Sequence, residues 1–247
     1  MKKEIVLSVK NVSKSFNKKI LTDISFELEK GKTLGIVGES GSGKTTLARI
    51  IVKFYDNYSG DIYLNKVNIK DISNKNLSKD IQMVFQSAIR AFNPAFTIKD
   101  ILMDNLILYK VDNRKERLKK IEEVLHLVAM DSSCLDKYPH QLSGGELQRI
   151  GIARALLVNA KILILDEITS ALDVSTQLEI LNILKKLQQR LNVTYILISH
   201  DLSVINYIAD EIMIIKDGYV IEHNTTNNIF KNPQNKYTKK LIELYKI

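Results

Sequence analysis

Residues 33–45 read TLGIVGESGSGKT. Thr33–Val37 is a short apolar run of strand length that feeds directly into the glycine loop Gly38–Thr45. Beyond Thr45, the apolar residues Leu47, Ile50, Ile51 and Phe54 fall at helical spacing. A buried strand, a glycine loop and a helix in that order open a parallel α/β unit.

The loop has the pattern G-x-x-x-x-G-K-[ST], and each part has a physical use. Gly38, Gly41 and Gly43 let the backbone wrap closely, with its N–H groups turned inward towards an anion. The helix that follows adds its positive dipole end. Lys44 supplies a mobile charge for β- and γ-phosphates, and the Thr45 hydroxyl can ligate Mg²⁺. With Glu39, Ser40, Ser42 and Thr46 these form the candidate nucleotide-binding set. A dinucleotide site is excluded, because the spacing G-x-G-x-x-G is absent.

Outward from the loop, Ile5–Val9 and Ile20–Leu28 alternate apolar and polar residues as half-buried strands do. Ser59-Gly60 predicts a turn before a strand at Asp61–Leu64, and Ile81–Phe85 predicts another strand. Residues 87–137 read as helical, with Thr97 capping Ile98–Leu108 and a further helix over Arg114–Met130. The α/β pattern then returns: strand Ile162–Leu165, helix Val174–Leu191, strand Val193–Ser199, helix Leu202–Ala209 and strand Ile212–Ile215.

Composition sets the bounds. The 247 residues, 45% hydrophobic and 26% charged, suffice for one large globular domain. The single cysteine, Cys134, rules out an internal disulfide and a Cys-based metal site, and suggests a reducing compartment. No apolar run approaches the ~20 residues that span a bilayer, so the sequence predicts a chain soluble by itself. The net charge of +8 comes from scattered lysines with few aromatics among them. That favours a solvated surface over nucleic-acid binding.

Two further stretches carry chemistry. Ile162–Glu167, ILILDE, is an apolar strand delivering Asp166 and Glu167 at its C-terminal end, where open α/β sheets bind ligands. Asp166 would hold Mg²⁺, and Glu167 would act on the attacking water as general base. Alone, such a strand is structural as often as functional; beside a phosphate loop it gains force. Leu142–Glu146, LSGGE, combines a capping box of Ser143 and Glu146 with two glycines in the first helical turn. Glycines there cost helix stability, which makes sense if something approaches the backbone closely.

The order GESGSGKT, LSGGE, ILILDE, SALD (Ser170–Asp173) and a strand ending at His200 resembles the ATP-binding subunits of ABC transporters over nearly the whole chain. The resemblance implies an α/β fold: a P-loop NTPase core with an antiparallel β subdomain and a helical subdomain inserted at about 88–158. It also implies one ATP-binding domain over 1–247, with a short importer-type segment at 225–247. By position, Phe16 corresponds to the aromatic that stacks on adenine. Gln86 corresponds to the glutamine that ligates Mg²⁺ and senses the γ-phosphate, and His200 to the switch histidine that positions the water. Asp173 matches the residue that couples two sites across a dimer. Ser143, Gly144, Gly145 and Glu146 would close over the γ-phosphate of a second ATP-binding subunit, a sister ATPase or an identical copy. Glu146 stands where many members have glutamine. Ile168 replaces the usual proline, and this predicts a looser turn after Glu167.

Ala91–Pro94, Tyr138–Gln141 and NPQNKYTKKL at 232–241 resemble the importers of peptides, nickel and other metal chelates. The implied cofactors are ATP and Mg²⁺. The implied partners are transmembrane permease subunits and an extracytoplasmic substrate-binding protein, with the chain peripheral at the cytoplasmic face of the cell membrane. No nucleic acid is expected. The alternatives are a soluble ATPase of the same family acting on DNA or ribosomes, and a regulatory module without turnover. The first lacks its usual coiled-coil insertion or second cassette here, and Glu167 with His200 speaks against the second.

Overall fold

Alternation along the first thirty residues produces a long antiparallel pair. In the computed structural model, which describes residues 3–85, 92–109 and 113–245, β1 (Ile5–Ser15) runs against β2 (Lys19–Glu29). Next come β3 (Thr33–Val37), α1 (Lys44–Ile51), β4 (Ser59–Leu64), β5 (Val67–Asn68), α2 (Asn74–Asp80) and β6 (Ile81–Val84). The helical middle holds α3 (Ile98–Leu108), α4 (Arg114–Leu127) and α5 (Gly144–Leu156). The remainder is β7 (Ile162–Asp166), α6 (Val174–Leu191), β8 (Thr194–Ile198), α7 (Leu202–Ile208), β9 (Glu211–Lys216), β10 (Tyr219–Thr225), α8 (Thr226–Lys231) and α9 (Lys236–Tyr245).

Among the described residues these strands form two sheets. One is antiparallel, in the order β2-β1-β4-β5; the other has the order β10-β9-β3-β8-β7-β6. In the second, β9, β3, β8, β7 and β6 run parallel, and β10 pairs antiparallel at the edge. Every residue of β3, β7 and β8 is buried, as expected for strands covered on both faces. Their period of two divides the core. Ile162, Ile164, Ile196, Ile198, Met213 and Ile215 pack with α1 and the antiparallel sheet. Leu163, Leu165, Tyr195, Leu197, Ile212 and Ile214 pack with α3 to α7 on the other side.

Several expectations shift at their edges. Ser59-Gly60 lies within β4 rather than in a turn: Gly60, at φ 87, fits against the backbone of Lys10 and Asn11, where a Cβ would come within 2.5 Å. Helix α4 stops at Leu127 instead of Met130, because Ala129 takes a left-handed backbone at φ 55. Thr97 caps α3 through a full capping box with Asp100. No described helix is long and apolar enough to cross a membrane.

Candidate nucleotide site

The phosphate loop leaves the C-terminal end of β3 and wraps into α1. Gly43, at φ 105, is the N-cap residue of α1 and offers no side chain to the first-turn amides, so those N–H groups stay available to an anion. Gly38 has no room for a side chain, since a Cβ would lie 2.1 Å from the Ile215 carbonyl oxygen. The loop is thereby seated on the end of β9.

Lys44 is 5% exposed. Its Nζ donates to the carbonyls of Gly38 at 2.7 Å and Glu39 at 2.8 Å. Burial lowers its pKa, opposed by the charges of Glu167, Asp166 and Glu39. A phosphate brought to this ammonium would supply the anionic partner that burial denies it. Ser42 Oγ is buried without a hydrogen-bond partner among the described residues. An orphaned hydroxyl inside the glycine loop fits a phosphate ligand. Ser40 and Gly41 are exposed and Thr46 is half-buried.

β7 brings the acidic pair to this loop. The Thr45 hydroxyl donates to Asp166 Oδ1 at 3.2 Å. Burial pushes the Asp166 carboxyl up, only partly offset by that bond. A hydroxyl and a desolvated carboxylate side by side are hard oxygen donors suited to Mg²⁺. Glu167 follows at φ 49, its N–H held by the Ile198 carbonyl at 2.9 Å. Its carboxylate lies beside the segment that follows β8, with Glu167 Oε1 3.5 Å from Nδ1 of the exposed His200. The turn after Glu167 is closed without proline. Its carbonyl accepts the Ser170 N–H at 3.2 Å and the Ser170 hydroxyl at 3.0 Å, and Ile168 is buried in the core.

Phe16 is 52% exposed and stands edge-on to Tyr55 at 5.2 Å, with Lys14 Nζ 4.7 Å above its ring. Its free face can take a base, and Tyr55 is a supporting residue that no motif announces. Gln86 lies outside the described residues.

At the start of α5, Ser143 and Glu146 form a complete capping box. The Ser143 N–H and hydroxyl both donate to Glu146 Oε2 at 2.8 Å. These bonds hold the Glu146 carboxyl below its usual range. The adjacent glycines have a local reason that the sequence hides. A Cβ on Gly145 would come 2.4 Å from Thr176 Cγ2, and one on Gly144 would lie 3.2 Å from Leu172 Cδ2. Asp173 caps α6, accepting from Thr176 N–H at 3.0 Å and from the Ser175 and Thr176 hydroxyls. The same bonds depress its pKa. Gln148, buried on α5, reaches the Phe85 carbonyl at 3.4 Å, a tie between helix and sheet with no sequence signal.

Comparison with known proteins bears on this geometry. The family model described as ABC transporter matches residues 21–170. The chain is 40% identical, over 96% of its length and 80% of the relative's, to the oligopeptide transport ATP-binding protein OppF of Streptococcus mutans. It is 43% identical to the dipeptide transport ATP-binding protein DppF of Haemophilus influenzae, over 91% of its length and 69% of the relative's. Among solved structures, a dimeric ATP-binding cassette in a post-hydrolysis state bound to ADP and Pi superposes with a TM-score of 0.79 at 29% identity. That match covers 89% of this chain and 98% of the other. The cbiO1 subunit from Clostridium perfringens, part of the ABC transporter complex cbiONQ, gives a TM-score of 0.85 at 26% identity, covering 99% and 100%. A phosphate loop bonded to the acidic strand, a capped LSGGE helix and these matches along the chain agree: the protein belongs to the ABC transporter family, as one of its ATP-binding proteins.

Proposed function

We propose that this chain is the ATP-hydrolysing motor of a peptide importer. The bond between Thr45 and Asp166, with Glu167 and His200 side by side next to it, carries the ATPase reading. The names of the oligopeptide and dipeptide relatives carry the cargo reading and favour peptides over nickel or other metal chelates. They equally disfavour a soluble ATPase acting on DNA or ribosomes. Residues 1–247 then act as one ATP-binding domain, with its helical insertion near 88–158 and the importer-type segment at 225–247.

In this reading the loop amides and Lys44 bind the β- and γ-phosphates of ATP, and Phe16 stacks on the adenine. Thr45, Asp166 and Gln86 would hold Mg²⁺, which when bound supplies positive charge against that developing on the phosphate oxygens. Glu167 accepts the proton of the attacking water, and His200 orients that water against the γ-phosphate. Ser143, Gly144, Gly145 and Glu146 complete the site of a second ATP-binding subunit, and Asp173 links the two sites. ATP thus stabilises the closed dimer and hydrolysis releases it, a ligand-driven two-state switch. Transmembrane permeases at the cytoplasmic face receive the motion, and an extracytoplasmic binding protein delivers the peptide.

The test is peptide-dependent ATP turnover by the assembled transporter, with Lys44→Ala as comparison. Loss of charge-assisted hydrogen bonds worth ~1.5–3 kcal/mol predicts an ATP affinity roughly 10- to 150-fold lower. Unchanged ATP binding by Lys44→Ala would sink the reading of the loop; stimulation by a metal chelate and by no peptide would overturn the cargo.

A further inference from the structure

The mechanism above uses one ring of an aromatic cluster and leaves out the lysine packed on that ring. Phe16, Asn17 and Lys18 join β1 to β2; Ser15 pairs with Lys19, and the Phe16 N–H donates to the Lys18 carbonyl at 3.0 Å. The same hairpin is seated on the phosphate loop. A Cβ on Gly43 would come 2.5 Å from Leu21 Cδ2 and 2.9 Å from the Ile20 carbonyl oxygen. The hairpin that carries Phe16 is therefore fixed against the N-cap of α1.

Lys14 lies two residues before Phe16, so strand alternation brings both to one side of the hairpin. It is 5% exposed, and among the described residues it forms no ion pair. Its ammonium donates to the Asn57 carbonyl and otherwise meets aromatic rings. Nζ is 4.7 Å from the centre of the Phe16 ring and 5.4 Å from that of Tyr55. Tyr55 packs on the core, stands edge-on to Phe16 at 5.2 Å, and has Phe54 against it at 5.1 Å. Taking an ammonium out of water without a carboxylate costs stability, and cation–π contacts offset only part of it. A charge retained in such a place points to a use.

We infer that Lys14 is a positioning residue for the nucleotide base, acting through the ring of Phe16. This rests on the reading of Phe16 as the adenine-stacking residue and deepens it. The ammonium covers one face of the ring and Tyr55 braces it, which leaves the opposite face to a base. The positive charge also draws the ring's electron density to its own side, so the open face repels the π-cloud of a purine less. Lys14 thus acts on the base end of the nucleotide, while Lys44 acts on the phosphates.

The test compares ATP with inorganic tripolyphosphate, which offers phosphates without a base. Both are titrated calorimetrically into the full chain and its variants, with Tm recorded for each. Lys14→Met keeps the apolar stem and removes the charge. It should weaken ATP binding about 2- to 10-fold and leave tripolyphosphate within about twofold. In the assembled transporter it should raise KM for ATP by the same factor, with kcat within about twofold. Lys14→Arg should restore ATP affinity, since a guanidinium also stacks on ring faces. Tyr55→Leu should reproduce the Lys14→Met pattern, and it carries the test where loss of the charge prevents folding. In a Phe16→Leu background Lys14→Met should add nothing. Unchanged ATP affinity in the Lys14→Met or Tyr55→Leu variant, equal losses for ATP and tripolyphosphate, or additive effects with Phe16→Leu overturn the inference. The reading of Phe16 fails separately: Phe16→Leu would then bind both ligands as the unmodified chain does, and the inference would fall with it. Neither outcome touches the role of Lys44.

Discussion

Thr45 and Asp166, 121 positions apart in the chain, meet through a hydrogen bond from the Thr45 hydroxyl to Asp166 Oδ1 at 3.2 Å. Two candidate metal ligands are therefore already adjacent before any ion arrives. Thr45→Val removes the oxygen while keeping the branched shape. It should leave ATP affinity in EDTA within about twofold and abolish most of the gain that Mg²⁺ brings, whereas Thr45→Ser should retain it. Nucleotide titrations with and without Mg²⁺ decide the matter. An intact Mg²⁺ gain in the valine variant would remove Thr45 from the metal site.

Glu167 sits at φ 49 with its N–H bonded to the Ile198 carbonyl, and its carboxylate lies 3.5 Å from His200 Nδ1. Glu167→Gln preserves that backbone and removes the base. ATP should still bind, turnover should fall by about 100-fold or more, and an ATP-bound dimer should persist on size-exclusion chromatography. Turnover at the normal rate would mean that another group takes the proton.

Gly145 fits against Thr176, and that contact separates two reasons for a glycine. Gly145→Ala should cost about 1–3 kcal/mol by overpacking, and adding Thr176→Ser, which deletes the offending methyl, should restore the melting temperature. If packing is the whole reason, hydrolysis returns with stability. If a nucleotide from a partner subunit must approach this turn, the double variant melts normally but hydrolyses poorly.

Glu146 has its pKa lowered by the Ser143 bonds, so it contributes stability above the unfolded carboxylate pKa. That contribution is lost as pH falls through the lower, folded value. Glu146→Gln keeps the acceptor oxygen without the charge. The melting-temperature advantage of the unmodified protein over the variant should therefore be largest at neutral pH and vanish once the pH has fallen below the depressed Glu146 pKa. An advantage that persists there would exclude the carboxylate as its source.

Much of this was legible because the motifs are local. Thr33–Val37 and Val174–Leu191 are found at their expected bounds, since an unbroken apolar run and an amphipathic repeat leave little ambiguity. β10 was not anticipated: it is an edge strand with no fully buried residue, so no alternation marks it. α8, with Ile229 its one buried side chain, gives too little periodicity to read. The glycines of LSGGE suggested an approaching ligand, while Thr176 and Leu172, which meet them, lie on a later stretch that spacing cannot bring near. Tyr237 was visible as part of a motif, but its ring contact with Lys216 depends on how α9 docks.

The sheet order puts β3 between β8 and β9, with Ile36 paired to Ile198 on one side and Met213 on the other. The phosphate loop is thus translated early but supported by strands that are translated late. At about 5–20 residues per second, it waits on the order of ten seconds for those neighbours. A chain interrupted in synthesis before β9 carries the whole GESGSGKT stretch and no seat for it. Nascent and truncated forms should therefore not compete with finished subunits for ATP.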